Sequence, residues 1–491
     1  MIVEQAVAVP MADGTVLRAD LWRPADDRPV PAIVMRTPYL RHSHAFTAFL
    51  DPLDAGTRGY AVVIQDVRGR GDSEGSFEPF VAEARDGAET IAWVAAQPWC
   101  DGRVVMTGMS YVGATQWLAA TEAGEALRGI APIVSSADYG EGWSLRNGVR
   151  EHGFLSTWTA VSLGTYGRLW NDEPARAYDD RDGLVEIAPW SAPWWDDATP
   201  ASYWEERSAA PRRERVRVPA LQVGGWYDAF VEGTLRTFAA GSHPHDRLVV
   251  GPWGHQHTLP RIVGEHDLGW AGDGENSRLP RTVLRWFDAI LEGREPRLPR
   301  ATIYVLGARR WVSLDAWPPP GARTVAATVE GEATLRYDPA DPTPFRGGHG
   351  LLMEVPDHGF GPRDQRRLLA RDDVAALPLG AAAAGPLTLA GPVAARLQVS
   401  ADGDGPRDWV ATLCVEAADG ELWNLTEGIA RVSPDAAEVE VPMGQTCVEL
   451  GAGERLVLLV AAAATPRFSA PATPATQRVL GGGVELTVAE I

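Results

Sequence analysis

One serine stands on a turn that is typical of a catalytic nucleophile. Ser110 follows the apolar segment 103–109 and precedes a helix-like segment, in the stretch RVVMTGMSYVGATQW (103–117). A strand, a glycine-bracketed turn and a helix would hold its hydroxyl at the end of the strand, beside the backbone amides of the helix N-terminus. The pattern departs from Gly-x-Ser-x-Gly, because Val112 follows Tyr111 and the next glycine is Gly113.

An acid and a base follow the serine in chain order, each just after a further apolar run. Asp228 ends the segment VGGWYD, and His255 ends the segment GPWGH. The carboxyl ends of parallel strands share one edge of a sheet, so the three side chains are predicted to converge there. An aspartate at such a position can also be a helix cap, which is the structural alternative for Asp228. Four other histidines compete with the one chosen: His243, His245, His257 and His266.

The three residue types in this order suit acyl transfer. A serine hydroxyl is a poor nucleophile at neutral pH, so a neutral imidazole must take its proton. A carboxylate then holds the imidazole in the right tautomer and stabilises the imidazolium. The developing oxyanion also needs fixed donors, each worth about 10²–10³ in rate. The order Ser, Asp, His along the chain is that of α/β-hydrolases.

Short apolar strands alternate with helical segments over the first 300 residues, which predicts a parallel sheet with crossover helices. Segments 3–9 and 15–22 are predicted to form an opening hairpin around Ala12-Asp13-Gly14. The remaining elements are predicted strands at 31–36, 60–65, 104–109, 129–134, 218–223 and 247–250, and predicted helices at 82–96, 111–117, 229–238 and 281–291.

The residue composition and the predicted secondary structure change in the middle of the chain and again near its end. Residues 143–204 hold seven of the chain's 19 tryptophans, with turn formers and no evident buried strand, which predicts an inserted, mostly helical cap. Short β-rich runs between Gly, Pro and Asp turns follow Pro296 and predict a β-sandwich or jelly roll, beginning with a strand at 301–306. The predicted domains are an α/β-hydrolase domain in two parts (1–142 and 217–296), a helical cap (143–216) and a jelly-roll β-sandwich domain (297–491).

Composition narrows the class of protein. A formal net charge of −20 argues against nucleic acid or an anionic membrane as partner, because both require a basic face. Three widely spaced cysteines form neither a disulfide framework nor a zinc motif. Neither a signal-like N-terminus nor an apolar run of membrane-spanning length occurs, so a cytoplasmic enzyme is expected. We expect a small-molecule substrate and no metal or cofactor. The oligomeric state is left open, with a homodimer as one option.

Five ordered motifs resemble the CocE/NonD hydrolases, a superfamily that includes cocaine esterases, α-amino-acid ester hydrolases, glutaryl-cephalosporin acylases and X-Pro dipeptidyl-peptidases. The motifs are RTPYLR (36–41), QDVRGRGDSEG (65–75), AQPWCDGRVVMTGMSYVG (96–113), VGGWYDAF (223–230) and GPWGH (251–255). The resemblance continues through YDPADPTP (337–344), GPRDQR (361–366) and NLTEGIAR (424–431), so it spans nearly the whole chain.

The resemblance assigns roles to individual residues. It implies Ser110 as nucleophile in a Gly-x-Ser-Tyr-x-Gly motif, Asp228 as acid, and His255 rather than His257 as base. It also implies that the hydroxyl of Tyr39 and the amide of Tyr111 donate to the oxyanion. A phenol stays protonated at neutral pH and so serves as a donor.

The resemblance extends to the acyl pocket. Phe230, Trp143 and Trp158 occupy places like those of pocket aromatics in cocaine esterases, with Phe230 placed most directly. The cap and several jelly-roll loops are shorter here than in cocaine esterases, so the resemblance leaves the substrate open. The charged segment 66–74 is expected to be a structural turn held by internal ion pairs, since loops rich in Gly and Asp are usually turns.

These observations favour a serine esterase that works through an acyl-enzyme, and three alternatives remain. A peptidase of X-Pro dipeptidyl type or an α-amino-acid ester hydrolase would need a carboxylate to hold the substrate ammonium. The cap offers four: Glu141, Glu151, Asp172 and Glu173. An acyltransferase to a natural-product alcohol would use the same triad. A carbohydrate-binding scaffold attached to an inactive hydrolase is disfavoured by the intact set Tyr39, Ser110, Asp228 and His255.

Overall fold

A computed structural model describes most of the chain. It covers residues 1–26, 28–43, 49–163, 181–241, 243–256, 259–350, 359–380, 383 and 385–491. Three residues named above lie outside the described ranges: Asp172, Glu173 and His257. So does Trp170, one of the seven tryptophans of segment 143–204.

A ten-stranded mixed sheet forms the core of the N-terminal half. The strands of this half, in chain order, are β1 (Ile2–Pro10), β2 (Val16–Arg23), β3 (Val30–Thr37), β4 (Ala61–Asp66), β5 (Cys100–Met109), β6 (Leu127–Ile133), β7 (Leu145–Arg146), β8 (Val149–Arg150), β9 (Leu221–Gly225), β10 (Arg247–Gly251), β11 (Ile262–Val263), β12 (His266–Asp267), β13 (Ala301–Val305) and β14 (Arg310–Leu314). The large sheet has the order β1-β2-β4-β3-β5-β6-β9-β10-β13-β14. Its seven central strands, from β4 to β13, run parallel, and β1, β2 and β14 pair antiparallel at its edges.

Helices connect these strands as the alternating pattern predicts. The last of them is amphipathic, and its buried Val283, Leu284 and Phe287 face the core. Gly129 on β6 leaves room for it, because a Cβ there would lie 2.4 Å from the side chain of Ile290. The helices of this domain are Pro52–Thr57, Glu83–Ala95, Tyr111–Ala120, Val231–Ala239 and Leu279–Leu291, and a 3₁₀ turn spans Trp270–Gly272.

The described part of the insertion between β6 and β9 is mostly helical, as expected for a cap. It also contains a feature that was not predicted, the short hairpin of β7 and β8. Its described helical segments are His152–Thr157, a π-helix at Trp158–Leu163, Arg181–Ile187, Ala201–Arg207, and 3₁₀ segments at Pro189–Trp195 and Ala210–Arg215.

Two antiparallel sheets form the C-terminal domain and share one hydrophobic cluster. Their strands are β15 (Arg323–Thr328), β16 (Ala333–Tyr337), β17 (Val374–Pro378), β18 (Leu387–Ala401), β19 (Arg407–Glu416), β20 (Leu422–Val432), β21 (Glu438–Leu450), β22 (Arg455–Ala461) and β23 (Ala475–Val488), with a 3₁₀ turn at Gln365–Leu368. Strands β15, β16, β18, β21 and β23 form one sheet, and β17, β19, β20 and β22 form the other. The predicted β-sandwich is confirmed, whereas the connection order that defines a jelly roll stays a prediction.

One predicted strand belongs to a different sheet. The run 301–306 was expected to open the sandwich, but β13 pairs in parallel with β10, and β14 follows it at the edge. These two strands thus belong to the large sheet and not to the sandwich, and the predicted domain bounds stay a prediction. Alternating apolar residues predict a strand but do not determine its partner, and here β13 satisfies the backbone groups along the open side of β10.

No helix in the described part of the chain is long and apolar enough to cross a membrane.

Candidate active site

Ser110 lies on a strained turn between β5 and the helix Tyr111–Ala120. Its φ of 58° and ψ of −126° fall where non-glycine residues are rare, and the side chain is buried. The backbone N–H of Ser110 donates to the carbonyl of Ile133, and its own carbonyl accepts from Gly113 and Ala114. These hydrogen bonds hold the backbone of Ser110 in its strained conformation, which is the one that a nucleophile elbow requires.

Close packing explains why a glycine, Gly113, occupies the third position after Ser110. Gly113 lies on the first turn of the helix, and a Cβ there would sit 2.5 Å from the Cβ of Ser135. A side chain at this position would push the helix away from the loop after β6. The third position after the serine, rather than the second, is therefore the one that must be small in this chain.

Asp228 and His255 form a buried pair at the carboxyl ends of β9 and β10. The Nδ1 atom of His255 lies 2.5 Å from Oδ1 of Asp228, and both side chains are almost fully buried. The second carboxylate oxygen accepts a hydrogen bond from the backbone N–H of Phe230 at 3.0 Å. Since Nδ1 faces the carboxylate, Nε2 is the nitrogen left for chemistry.

The other described histidines have different partners. His245 contacts Glu295 at 3.0 Å, and His266 contacts Glu421 at 3.0 Å. His243 accepts a hydrogen bond from the backbone of His245, and burial lowers its pKa. Within the described ranges, His255 is thus the histidine that the fold pairs with an aspartate at the sheet edge.

Tyr39 lies in the loop after β3 and is held from several sides. Its backbone N–H donates to the hydroxyl of Thr37, and its phenol oxygen accepts a hydrogen bond from the indole N–H of Trp158 at 2.9 Å. Arg70 donates to the carbonyl of Pro38, directly before Tyr39. The Trp158 contact uses a lone pair of the phenol oxygen, and so does not consume its hydrogen.

The charged segment 66–74 is a structural turn, but its ion pairs reach beyond the segment. Arg41 contacts the carboxylates of Asp66 at 2.5 Å, Asp72 at 2.7 Å and Asp20 at 2.9 Å. Arg68 contacts Asp86 at 2.7 Å. The segment was expected to be held by internal pairs, whereas the pairs shown for Asp66, Arg68 and Asp72 are made with residues outside it.

The side chain of Tyr111 has an anchoring role that the sequence did not indicate. Its hydroxyl donates to Glu83 at 3.0 Å and accepts from the backbone N–H of Phe80 at 2.9 Å. Glu83 also contacts Arg36 at 2.9 Å, and all of these side chains are buried. Burial raises the pKa of Glu83, and Arg36 only partly offsets this. The first amide of the helix, that of Tyr111, has no acceptor within the helix and so can face a ligand.

Two of the three predicted pocket aromatics contact predicted site residues, and the third stacks on one of these two. Phe230 packs edge-on against the imidazole of His255, with 5.0 Å between ring centroids, and Trp143 stacks on Phe230 at 4.0 Å. Trp158 stacks on Tyr111 at 5.7 Å. The cap and the hydrolase domain thus share one aromatic cluster that contacts the histidine, the elbow and the Tyr39 loop.

The C-terminal domain also touches the acid. Gly350 forms a parallel bridge with Asp228, and its N–H donates to the carbonyl of Tyr227 at 3.3 Å. The hydroxyl of Tyr227 donates to the carbonyl of Asn424 on β20 at 3.2 Å. Sequence reasoning missed these contacts, because no local pattern around Gly350 indicates a distant partner.

Comparisons with known proteins assign the chain to a family. The family model of the X-Pro dipeptidyl-peptidase (S15 family) matches residues 13–257, and that of the X-Pro dipeptidyl-peptidase C-terminal non-catalytic domain matches residues 295–488. Cocaine esterase of Rhodococcus sp. (strain MB1 Bresler) is 33% identical over 94% of this chain and 91% of its own. The chain belongs to the CocE/NonD family of serine hydrolases.

Solved structures of low sequence identity support the fold of this CocE/NonD hydrolase. An aminopeptidase from the marine sediment archaeon Thaumarchaeota archaeon superposes with a TM-score of 0.84 at 22% identity, covering 100% of this chain and 96% of its own. An α-amino acid ester hydrolase superposes with a TM-score of 0.81 at 22% identity, covering 99% and 96%. The shared architecture covers the hydrolase domain, the cap and the C-terminal domain together.

Proposed function

We propose that this CocE/NonD hydrolase cleaves small carboxylic esters with Ser110 as nucleophile, His255 as general base and acid, and Asp228 as the orienting carboxylate. The observation that carries the proposal is the buried His255–Asp228 pair, which lies at the same sheet edge as the strained Ser110 turn. A buried imidazole oriented by a carboxylate is the arrangement that activates a serine hydroxyl.

The reaction divides into two acyl transfers. The Oγ atom of Ser110 attacks the ester carbonyl carbon while its proton passes to Nε2 of His255. The tetrahedral oxyanion takes hydrogen bonds from the Tyr39 hydroxyl and the Tyr111 amide. The bond from carbon to the alcohol oxygen then breaks, and His255 returns the proton to that oxygen. Water repeats the sequence on the acyl-enzyme, which releases the carboxylic acid and restores Ser110.

A fluorophosphonate probe tests the proposal directly. Wild-type protein should be labelled at Ser110, as located by peptide mass spectrometry, and should hydrolyse aryl esters. Ser110→Ala should lose both labelling and turnover while keeping its thermal unfolding temperature. Labelling at another residue, or full esterase activity in Ser110→Ala, contradicts the assignment.

Cleavage of X-Pro peptides or α-amino-acid esters is a second candidate, favoured by the match to the S15 model. It needs a carboxylate free to hold an ammonium ion. Glu151 is buried and paired with Arg467 at 2.8 Å, and Glu141 accepts the backbone N–H groups of Asn147 and Gly148. Both carboxylates are therefore engaged in structural contacts, and the other two candidates, Asp172 and Glu173, lie outside the described residues. Among the described candidates, these contacts favour a simple ester over a substrate with a free ammonium group.

Substrate comparison separates the two candidates. The kcat/KM for simple aryl esters should exceed that for an Ala-Pro anilide, because an amide needs better leaving-group protonation and the dipeptide needs an ammonium anchor. A strong preference for the anilide would reverse the ranking. Replacing water by an alcohol acceptor in the same assay tests acyl transfer, through the yield of the new ester.

A further inference from the structure

A chain of buried charges joins the cap to the C-terminal domain. Arg467 contacts both carboxylate oxygens of Glu151, at 2.8 and 2.9 Å, and its other amino group pairs with Glu427 on β20. Glu427 in turn accepts from His349, at 2.7 Å from Nδ1 and 2.9 Å from the backbone N–H. All four side chains are buried, so the chain Glu151–Arg467–Glu427–His349 is removed from water.

Both ends of this chain meet the loop that carries Asp228. His349 is followed directly by Gly350, whose backbone bridges Asp228 and binds the carbonyl of Tyr227. At the other end, Glu151 contacts Arg146 at 3.4 Å. An amino group of Arg146 lies 3.5 Å from the carbonyl of Ala229, the residue after the acid. The loop is thus held on one side by the sandwich and on the other by the cap.

Arg467 is suited to hold these two domains together. Its guanidinium lies 5.0 Å from the ring centroid of Phe345 and 4.9 Å from that of Phe468. The backbone N–H of Gly153 in the cap donates to the carbonyl of Arg467 at 3.0 Å. A bidentate guanidinium placed near aromatic rings has one preferred orientation, so it fixes the positions of both carboxylates.

The loop that leads to Gly350 is also fitted closely to Glu427. Gly348 has a φ of 87°, and a Cβ there would lie 2.3 Å from Oε2 of Glu427. Only glycine therefore allows the loop to cover this carboxylate while His349 donates to its other oxygen. The backbone of residues 348–350 therefore connects Glu427 to the bridge at Asp228. This connection is close-packed and does not depend on a flexible side chain.

We propose that Glu427 and Arg467 are positioning residues for the catalytic acid, which act through His349 and Gly350 on one side and Glu151 on the other. The inference rests on the proposed function, because it assigns Asp228 to the triad. The family description calls the C-terminal domain non-catalytic. Under this proposal, that domain helps to set the geometry of the Asp228–His255 pair. Small displacements of a catalytic group cost large factors, up to about 10² for 1 Å.

Two variants perturb the chain in different ways, and a third serves as a matched control. Glu427→Gln keeps the size and one acceptor oxygen but removes the charge that binds Arg467. Gly348→Ala alters no charge and displaces the loop before Gly350. Asp408→Asn removes a buried carboxylate that binds Arg431 at 2.6 and 2.8 Å in the same β-sheet as Glu427. The partner of Asp408, Arg431, lies on β20, so this ion pair stays within the sandwich.

Activity is measured as kcat and KM per active site, titrated with a fluorophosphonate, so that unfolded protein does not count as lost turnover. We expect Glu427→Gln and Gly348→Ala to lower kcat about tenfold with KM within about twofold, and to shift the pH profile of kcat/KM. Asp408→Asn should keep the wild-type kcat and pH profile even where its unfolding temperature falls.

The outcomes separate the hypotheses. Wild-type kcat and an unchanged pH profile in the titrated sites of both Glu427→Gln and Gly348→Ala would overturn the inference and leave the network as interdomain packing. An equal loss of kcat in Asp408→Asn would also overturn it, as a general effect of destabilisation. Failure of the proposed function gives a different result, namely no labelling of Ser110 in the wild-type protein.

Discussion

Trp158 of the cap donates its indole N–H to the phenol oxygen of Tyr39 at 2.9 Å, across a sequence separation of 119 residues. The bond places a cap residue in direct contact with the proposed oxyanion donor. The phenol oxygen is the acceptor in this bond, so Trp158 orients the ring of Tyr39 through a lone pair of that oxygen. We therefore expect the position of the cap to affect the geometry of the proposed oxyanion donor.

Trp158→Phe should lower kcat by about three- to tenfold while KM stays nearly constant, because one neutral hydrogen bond contributes about 0.5–1.5 kcal/mol. The ring stacking on Tyr111 is retained. Trp195→Phe is the matched control, since Trp195 is a buried cap tryptophan that donates to the hydroxyl of Ser191 at 3.3 Å and packs against His152. The kcat and KM of both variants are measured on one aryl ester. An equal loss of kcat in the two variants would contradict a specific role of the contact with Tyr39.

Asp228→Asn should reduce kcat by about 10³–10⁴, because an amide stabilises the wrong tautomer of His255 and does not stabilise the imidazolium. Asp246→Asn provides the comparison: Asp246 is equally buried in the same domain, and it accepts the backbone N–H of Ala220 at 2.9 Å. That variant should lose stability but retain kcat per titrated site. A nearly active Asp228→Asn would remove the aspartate from the triad.

Gly113→Ala should destabilise the fold by about 1–3 kcal/mol through overpacking against Ser135, and should slow labelling of Ser110 by shifting the elbow. Gly124→Ala is the control, because a Cβ at Gly124 meets no atom within 4 Å. Its free energy of unfolding should stay within about 0.5 kcal/mol of the wild type. Urea denaturation gives both values, and equal stability of the two variants would show that the helix can shift without cost.

Stability should fall at acid pH through the carboxylates of the interdomain chain. Burial alone would raise the pKa of Glu427, but His349 and Arg467 outweigh it and hold the pKa well below its usual range. The pKa of Glu151 is likewise lowered, since Arg467 and Arg146 outweigh the effect of burial. A lowered folded-state pKa gives stability that is complete above the unfolded value, near pH 4, and is lost as pH falls towards the folded value.

The direction of this pH dependence can be tested by measuring the thermal unfolding temperature from neutral pH to about pH 3. The unfolding temperature should be level above about pH 5 and fall below it, with a shallower fall in Glu427→Gln, which has one titrating carboxylate fewer. A variant curve that lies parallel to the wild-type curve throughout would show that Glu427 does not contribute to the acid limb.

The parts of the site that follow from short segments were predictable from the sequence. The elbow at Ser110 is encoded by a strand, a glycine turn and a helix that are contiguous, and the structure shows all three. Asp228 and His255 follow apolar strands, so their convergence needs only parallel strand order. The aromatic positions Phe230, Trp143 and Trp158 came from the family resemblance, and their roles as pocket residues stay predictions.

The parts that depend on distant contacts were not predictable. The anchoring of Tyr111 by Glu83 and Arg36 joins three separate segments, and none of them has an unusual local pattern. Glu151 looked like a possible ammonium anchor because its partner, Arg467, is 316 residues away. Strand β13 was assigned to the wrong sheet for the same reason, since amphipathic alternation does not specify a neighbour.

The membership of β13 in the large sheet determines where the chain can be divided in domain-exchange experiments. A join at residue 296, the predicted end of the hydrolase domain, would bring β13 and β14 from the donor protein. The recipient's β10, which leads to His255, would then depend on a foreign strand for its outer hydrogen bonds. Chimeras between relatives should instead be joined between residues 314 and 323, after the last strand of the large sheet and before the first of the sandwich.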